Sequence, residues 1–244
     1  MNPAAEDGPL HAIVPLNVLK KSKARLSPIL RPSERAQLSL EMLRNVLSAV
    51  RGSNKIASVT VVSADKGVRT VVQRLGVDFL WEGKRRGLNK ALRLAIARSA
   101  RRGARAVVVL HADLPLLTCQ EVDRFLSMSR GHDVVLVPSK DGFGTNVLLL
   151  KPLEIIRPAF GKDSLRRHLS SAHKKRLRSQ VLRIRGLSYD LDKPKDLFRL
   201  MREHPRNETA RFLRTLLAEP KCAGKRKALG VRQTKRQYCK CKGI

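Results

Sequence analysis

Aromatic side chains are scarce in this sequence: one Trp, two Tyr and six Phe, about 4% of the chain. They are also scattered, so a surface that grips nucleic acid by stacking bases has little to build on. Cysteines number only four and are dispersed, which excludes a disulfide framework. Cys239 and Cys241 flank one lysine, but no second pair or nearby histidine completes a four-ligand zinc site. No apolar run approaches the roughly 20 residues that span a bilayer. The stretch from Met1 to Leu16 has neither a basic leader nor a long apolar segment, so it does not read as a signal peptide. A cytoplasmic protein with no membrane partner is the expectation.

Acid is the other shortage. The chain carries 51 Lys and Arg against 20 Asp and Glu, a formal charge of +31. Such a protein meets polyanions: nucleic acid, nucleotides or phosphorylated metabolites. Residues 220–244 hold nine of the cations and no acid, which leaves about +22 on the rest. The tail therefore does not explain the charge alone. Periodicity also stops at Pro220, so the expected organisation is one domain over 1–219 and a basic, disordered tail over 220–244.

Within the body, strand and helix patterns alternate. His11–Leu16 and Ile56–Val62 read as strands, with Leu38, Met42, Leu43, Val46, Leu47 and Val50 at helical spacing between them, from a Ser33 cap to Gly52. A helix near Lys66–Leu75, an extended piece at Val77–Leu80 and a helix over Leu88–Arg101 follow. Val107–Leu110 is an unbroken apolar run, the pattern of a strand buried on both faces. A helix near Thr118–Ser129 comes next, then strands at Asp133–Val137 and Val147–Leu150. Later come a helix to about Lys174, extended pieces at Val181–Ile184 and Leu187–Leu191, and helices over Lys195–Met201 and beyond an Asn207 cap. This alternation argues for an α/β fold, a mostly parallel Rossmann-like sheet with helices on both faces.

The central strand ends in His111-Ala112-Asp113-Leu114-Pro115, which puts a carboxylate at a strand tip, where open α/β sheets bind ligands. Polar loops after other strands suit phosphates. Lys20, Lys21, Lys23 and Arg25 crowd cations that repel one another unless solvated or holding an anion. Gly87, Leu88 and Asn89 open a helix, whose free N–H groups favour an anion or a base edge, although Asn89 can also serve as a cap. Gly142 and Gly144 allow close backbone approach before Thr145 and Asn146, and a hairpin turn explains them equally well. Gly161, Lys162 and Ser164 stand where another helix begins. Asp190 and Asp192, two apart on an extended segment, share a side and can converge with Asp113 on Mg²⁺, which prefers oxygen ligands. The alternative for Asp192 is support of the helix at Pro194.

In order, VPLNVLKKSKARLSPIL, GLNKALRLA, VVLHADLPLL, PSKDGFGTNVLLL, FGKDSLRRH and YDLDKPKDL closely resemble the CofC family, from about His11 to Met201. These are archaeal 2-phospho-L-lactate guanylyltransferases of coenzyme F420 biosynthesis, with bacterial relatives that use phosphoenolpyruvate. The resemblance implies a nucleotide-diphospho-sugar transferase-like fold and transfer of GMP from GTP to a phosphorylated three-carbon acid, with release of pyrophosphate. It implies Asp113, Lys23 and Arg25 as catalytic, and Lys23, Arg25, Gly87, Leu88 and Asn89 as nucleotide-binding. Thr145, Asn146, Gly161 and Ser164 fall on the acceptor side. Asp113, Asp190 and Asp192 are the ligands expected for one or two Mg²⁺, and a homodimer is implied. One departure is Asn17, where many relatives carry lysine. Competing readings are another nucleotidyltransferase on the same fold, such as one acting on a molybdenum cofactor, and a basic RNA-binding protein with weak contacts through the tail.

Overall fold

The computed structural model describes residues 8–83 and 87–218. The 220–244 tail, with its Cys239 and Cys241, lies outside the described residues. Seven strands make one sheet: β1 (Leu10–Leu16), β2 (Ser58–Ser63), β3 (Asp78–Trp81), β4 (Ala106–Leu110), β5 (Val134–Pro138), β6 (Thr145–Leu150) and β7 (Ser179–Val181). Their order is β3-β2-β1-β4-β6-β5-β7. The helices are α1 (Pro32–Arg51), α2 (Arg69–Arg74), α3 (Leu88–Arg101), α4 (Cys119–Met128), α5 (Ser164–Lys174), α6 (Arg185–Ser188), α7 (Pro194–Glu203) and α8 (Glu208–Ala218).

The apolar runs follow from cover on both faces. Ala12, Val14, Val61, Val108 and Leu110 pack toward α1, α2 and α4. Their neighbours Ile13, Val62, Val107 and Val109 pack toward α3 and α5. A strand enclosed in this way has no polar side to display. A third cluster joins the far side of α1, at Leu38 and Met42, to α7 and α8 through Leu197, Leu200 and Leu213. Leu26 and Leu30 from the basic loop and Tyr189 and Leu191 from the acidic segment belong to the same cluster. Burial of these four side chains brings the two charged segments together.

The sheet is mostly parallel, as expected, and two local expectations need correction. Four strand pairings are parallel, but β6 runs antiparallel to both β4 and β5. The glycine-rich loop is consequently the hairpin between β5 and β6. Its N–H groups are spent internally: Phe143 N donates to Asp141 Oδ1 at 3.1 Å and Gly144 N to Ser139 Oγ at 2.9 Å. A Cβ on Gly144 would stand 2.5 Å from that Oγ, so glycine is required for closure. The Leu187–Leu191 stretch is not a strand: α6 occupies Leu187 and Ser188, and the backbone is extended only from Tyr189. Gly186 N donates to Glu121 Oε1 at 2.8 Å, and a Cβ on Gly186 would collide with the same carboxylate. Finally, α1 starts at Pro32, with Glu34 accepting from Arg31 N at 2.7 Å, so Ser33 lies inside the first turn instead of capping it.

Candidate active site

The carboxyl ends of β1, β2 and β4, with the first turn of α3, enclose a pocket of about 310 Å³. Its walls are apolar at Pro15, Leu16, Val62, Leu88 and Ala91, and its polar groups include Asn17, Lys23, Glu82, His111, Asp113 and Asp192. This is the place where an open α/β sheet binds ligands.

Four of the expected residues meet directly. Lys23 Nζ lies 2.6 Å from Asp113 Oδ2 and 3.7 Å from Asp192 Oδ1. Arg25 Nη1 reaches Asp192 Oδ2 at 2.6 Å. The Lys23 side chain is only 8% exposed, whereas that of Arg25 is 67% exposed. Lys23 achieves its reach from a left-handed backbone, φ 50°, a conformation that is uncommon for a lysine. Burial pushes the Asp113 carboxyl up, but the Lys23 ammonium and the His111 ring outweigh it, and the group stays below the usual carboxylate range. Burial likewise holds His111 below the ordinary imidazole range despite Asp113 beside it.

Asp113 and the acidic segment are tied through the backbone: Leu191 N donates to Asp113 O at 3.1 Å. Asp190 nevertheless turns away from that pair. Its Oδ1 accepts from Lys140 N at 3.3 Å, and Lys140 Nζ lies 3.7 Å from its Oδ2. Support of the α7 start falls to Asp196, whose Oδ2 accepts from Lys193 N at 2.7 Å and Asp192 N at 3.1 Å and pairs with Lys140. Asp192 is thereby left to face the basic loop. Among the described residues, no group of three His, Cys, Asp or Glu is gathered to hold a metal ion. Asp113 Oδ1, however, is buried without a hydrogen-bond partner. An orphaned, hard anionic oxygen beside a second carboxylate suits a divalent cation of the Mg²⁺ type. Asp113 and Asp192 therefore fit such a group, and Asp190 stands apart.

The nucleotide-side residues divide. Gly87, at φ 90°, begins α3, and both it and the 37%-exposed Leu88 border the pocket. The Asn89 side chain does not cap α3. Its Oδ1 accepts from Phe160 N at 2.8 Å and its Nδ2 donates to Phe160 O at 3.0 Å. It clamps the helix that borders the pocket to the loop carrying Gly161.

Thr145, Asn146 and Ser164 are buried. Ser164 Oγ donates to Thr145 Oγ1 at 3.1 Å, and His168 Nδ1 lies 3.2 Å from the same oxygen. Ala159 N donates to His168 Nε2 at 2.8 Å, which places the ring proton on Nδ1, pointing at Thr145. Thr145 Oγ1 thus accepts from both neighbours, and none of Thr145, Asn146, Gly161 and Ser164 lines the pocket of about 310 Å³. Burial drives the His168 pKa down to about 4. Asn146 Nδ2 donates to Leu187 O at 3.1 Å and so anchors α6. Gly161, at φ 116°, turns the chain just before α5. Sequence reasoning passed over Glu82, His111, Lys140, His168 and Asp196. Of these, only His111 carried a signal, its place beside Asp113 at the strand tip.

A family model described as guanylyl transferase CofC like matches residues 10–232. The chain is 36% identical over 195 residues to a phosphoenolpyruvate guanylyltransferase of Sphaerobacter thermophilus, covering 80% of this chain and 93% of that protein. It is 31% identical over 207 residues to a 2-phospho-L-lactate guanylyltransferase of Methanobrevibacter smithii, covering 85% and 90%. Among solved structures, a protein described as a nucleotide-diphospho-sugar transferase from Desulfovibrio desulfuricans superposes with a TM-score of 0.68 at 18% identity, covering 85% of this chain and 96% of that one.

Proposed function

The chain belongs to the CofC-like guanylyltransferase family, and from that premise we propose that it transfers GMP from GTP to 2-phospho-L-lactate, giving lactyl-2-diphospho-5′-guanosine and pyrophosphate. The observation that carries the reading is the cluster of Lys23, Asp113 and Asp192 at the tip of β4, bordering the pocket, with Asp113 Oδ1 left without a hydrogen-bond partner.

An oxygen of the acceptor phosphate attacks the α-phosphorus of GTP. The bond to the β-phosphate oxygen breaks, and its electron pair leaves with pyrophosphate. The nucleophile is already anionic near neutral pH, so no general base is needed. The barrier is the approach of two anions, and catalysis rests on positioning and charge compensation. Lys23 and Arg25 bring positive charge beside the triphosphate, and Lys23 also holds Asp113 and Asp192 together. The first N–H groups of α3, after Gly87, border the nucleotide end of the pocket and favour an anion or a base edge there. Thr145, Asn146, Gly161 and Ser164 are assigned to the acceptor side, beside the Phe160 loop that Asn89 ties to the first turn of α3. Asp113 and Asp192 would hold Mg²⁺, which when bound neutralises phosphate charge and links protein carboxylates to substrate. The reading includes a cytoplasmic homodimer. Among the described residues, no helix is long and apolar enough to cross a membrane.

Phosphoenolpyruvate is the second reading for the acceptor, favoured by the 36% identity to an enzyme of that name against 31% for the 2-phospho-L-lactate enzyme. Competition between the two acids, read by product mass, decides between them. A predominantly lactyl product supports the first reading, and an enolpyruvyl product replaces it with the second. Absence of any guanylylated product overturns both.

A further inference from the structure

Glu82 follows β3 where that strand reaches the pocket. Its N–H donates to Ser63 O at 3.1 Å, which extends the β2–β3 pairing and fixes the backbone at the rim. Its Oε2 is buried with no hydrogen-bond partner. Six side-chain atoms share that condition among the described residues, and three of them belong to residues that line this one pocket, Glu82, His111 and Asp113. A buried carboxylate oxygen is costly to leave without donors, so a site that keeps one is shaped for a ligand that brings them.

The position of Glu82 narrows what that ligand group is. The sheet order places β3 three strands from β4, roughly 14 Å at normal strand spacing. Asp113, with Lys23 and Asp192, gathers charge at the β4 end. Between the two ends the walls are apolar, at Pro15, Leu16 and Val62. A charged cluster at one end and a carboxylate at the other, separated by an apolar slot, match the length and polarity of a nucleotide with its phosphates toward Asp113 and its base edge toward Glu82.

We propose that Glu82 is the residue that selects guanine, an inference that rests on the guanylyl-transfer reading above. Its carboxylate accepts from N1–H and from the exocyclic 2-amino group. Guanine alone among the common bases offers two adjacent donors on its pairing edge. Adenine and cytosine each set a donor beside an acceptor, and uracil places one N–H between two carbonyls. An ionised carboxylate is an acceptor only, so it rewards guanine and is left unpaired or repelled by the others.

The test compares wild type, Glu82→Gln and Glu82→Ala by kcat/KM for GTP, inosine triphosphate and 2′-deoxyguanosine triphosphate, with circular dichroism to confirm folding. Inosine keeps N1–H but lacks the 2-amino group. Wild type should prefer GTP over inosine triphosphate by about tenfold or more, and in both variants this preference should fall close to one while GTP itself weakens about tenfold or more. An unchanged preference in folded variants overturns the assignment. A change confined to the deoxy comparison gives the carboxylate to the ribose and also overturns it. Wild type that neither binds GTP nor turns it over would remove the guanylyl-transfer reading itself, a failure visible before any variant is made.

Discussion

Lys23 holds the site in its resting charge balance. Its ammonium is buried between Asp113 and Asp192, so it stabilises both carboxylates and offsets their mutual repulsion. Asp113→Asn keeps the shape, and the Leu191 bond to the Asp113 backbone survives because it does not use the side chain. Turnover should fall about a hundredfold or more, as expected when a metal ligand loses its charge, with the folded signal retained. Wild-type rates in that variant would sink the metal assignment. A second residue-scale prediction concerns acid stability. His168 titrates at about 4 in the folded protein, and an unfolded histidine at about 6.5. Between those values the unfolded chain holds more protons, so stability rises with pH there. The contribution is complete above about pH 6.5 and lost as pH falls through about 4, about 3 kcal/mol in all. Urea midpoints between pH 7 and 4.5 should drop more steeply for wild type than for His168→Gln, and equal slopes would remove the histidine from the account.

At the scale of elements, the apolar run at Val107–Leu110 was legible because a strand covered on both faces must be apolar throughout. The same property hid the direction of β6. Val147–Leu150 reads identically whether it runs with or against its neighbours, and only the short hairpin through Gly142 and Gly144 forces it antiparallel. The α6 turn was illegible for another reason: Leu187, Tyr189 and Leu191 alternate like a strand, and the deciding contact comes from Glu121, far away in sequence. The site divides along the same line. Asp113, Lys23 and Asp192 were readable from strand tips and loops, while the Asn89 clamp on Phe160 and the Lys140 bridge to Asp190 and Asp196 depend on distant partners. Helix α8 matters through α1, whose Ser39 and Met42 border the pocket. Leu213 is fully buried in that packing. Leu213→Ala should cost about 2–5 kcal/mol of stability, read as a lower denaturation midpoint. Turnover of the remaining folded protein should stay near wild type, and a matching loss of kcat would mean that α8 shapes the pocket directly.

For the whole molecule, the question is what a charge of +31 is for. Only part of it converges on the pocket. Removing residues 220–244 deletes nine cations and nothing acidic. The shortened chain should keep GTP turnover while its affinity for RNA, and the steep fall of that affinity with salt, are sharply reduced. Loss of turnover would instead give the tail a part in the site. Retained, salt-steep RNA binding together with lost turnover would favour the nucleic-acid reading over the enzymatic one.

The most direct measurement is pyrophosphate release from GTP with Mg²⁺, in the presence of 2-phospho-L-lactate, of phosphoenolpyruvate, and of neither. Release that requires one of the two acids, and that Asp113→Asn abolishes, is the expected result. Release without an acceptor, or none with either acid from folded protein that binds GTP, would contradict it.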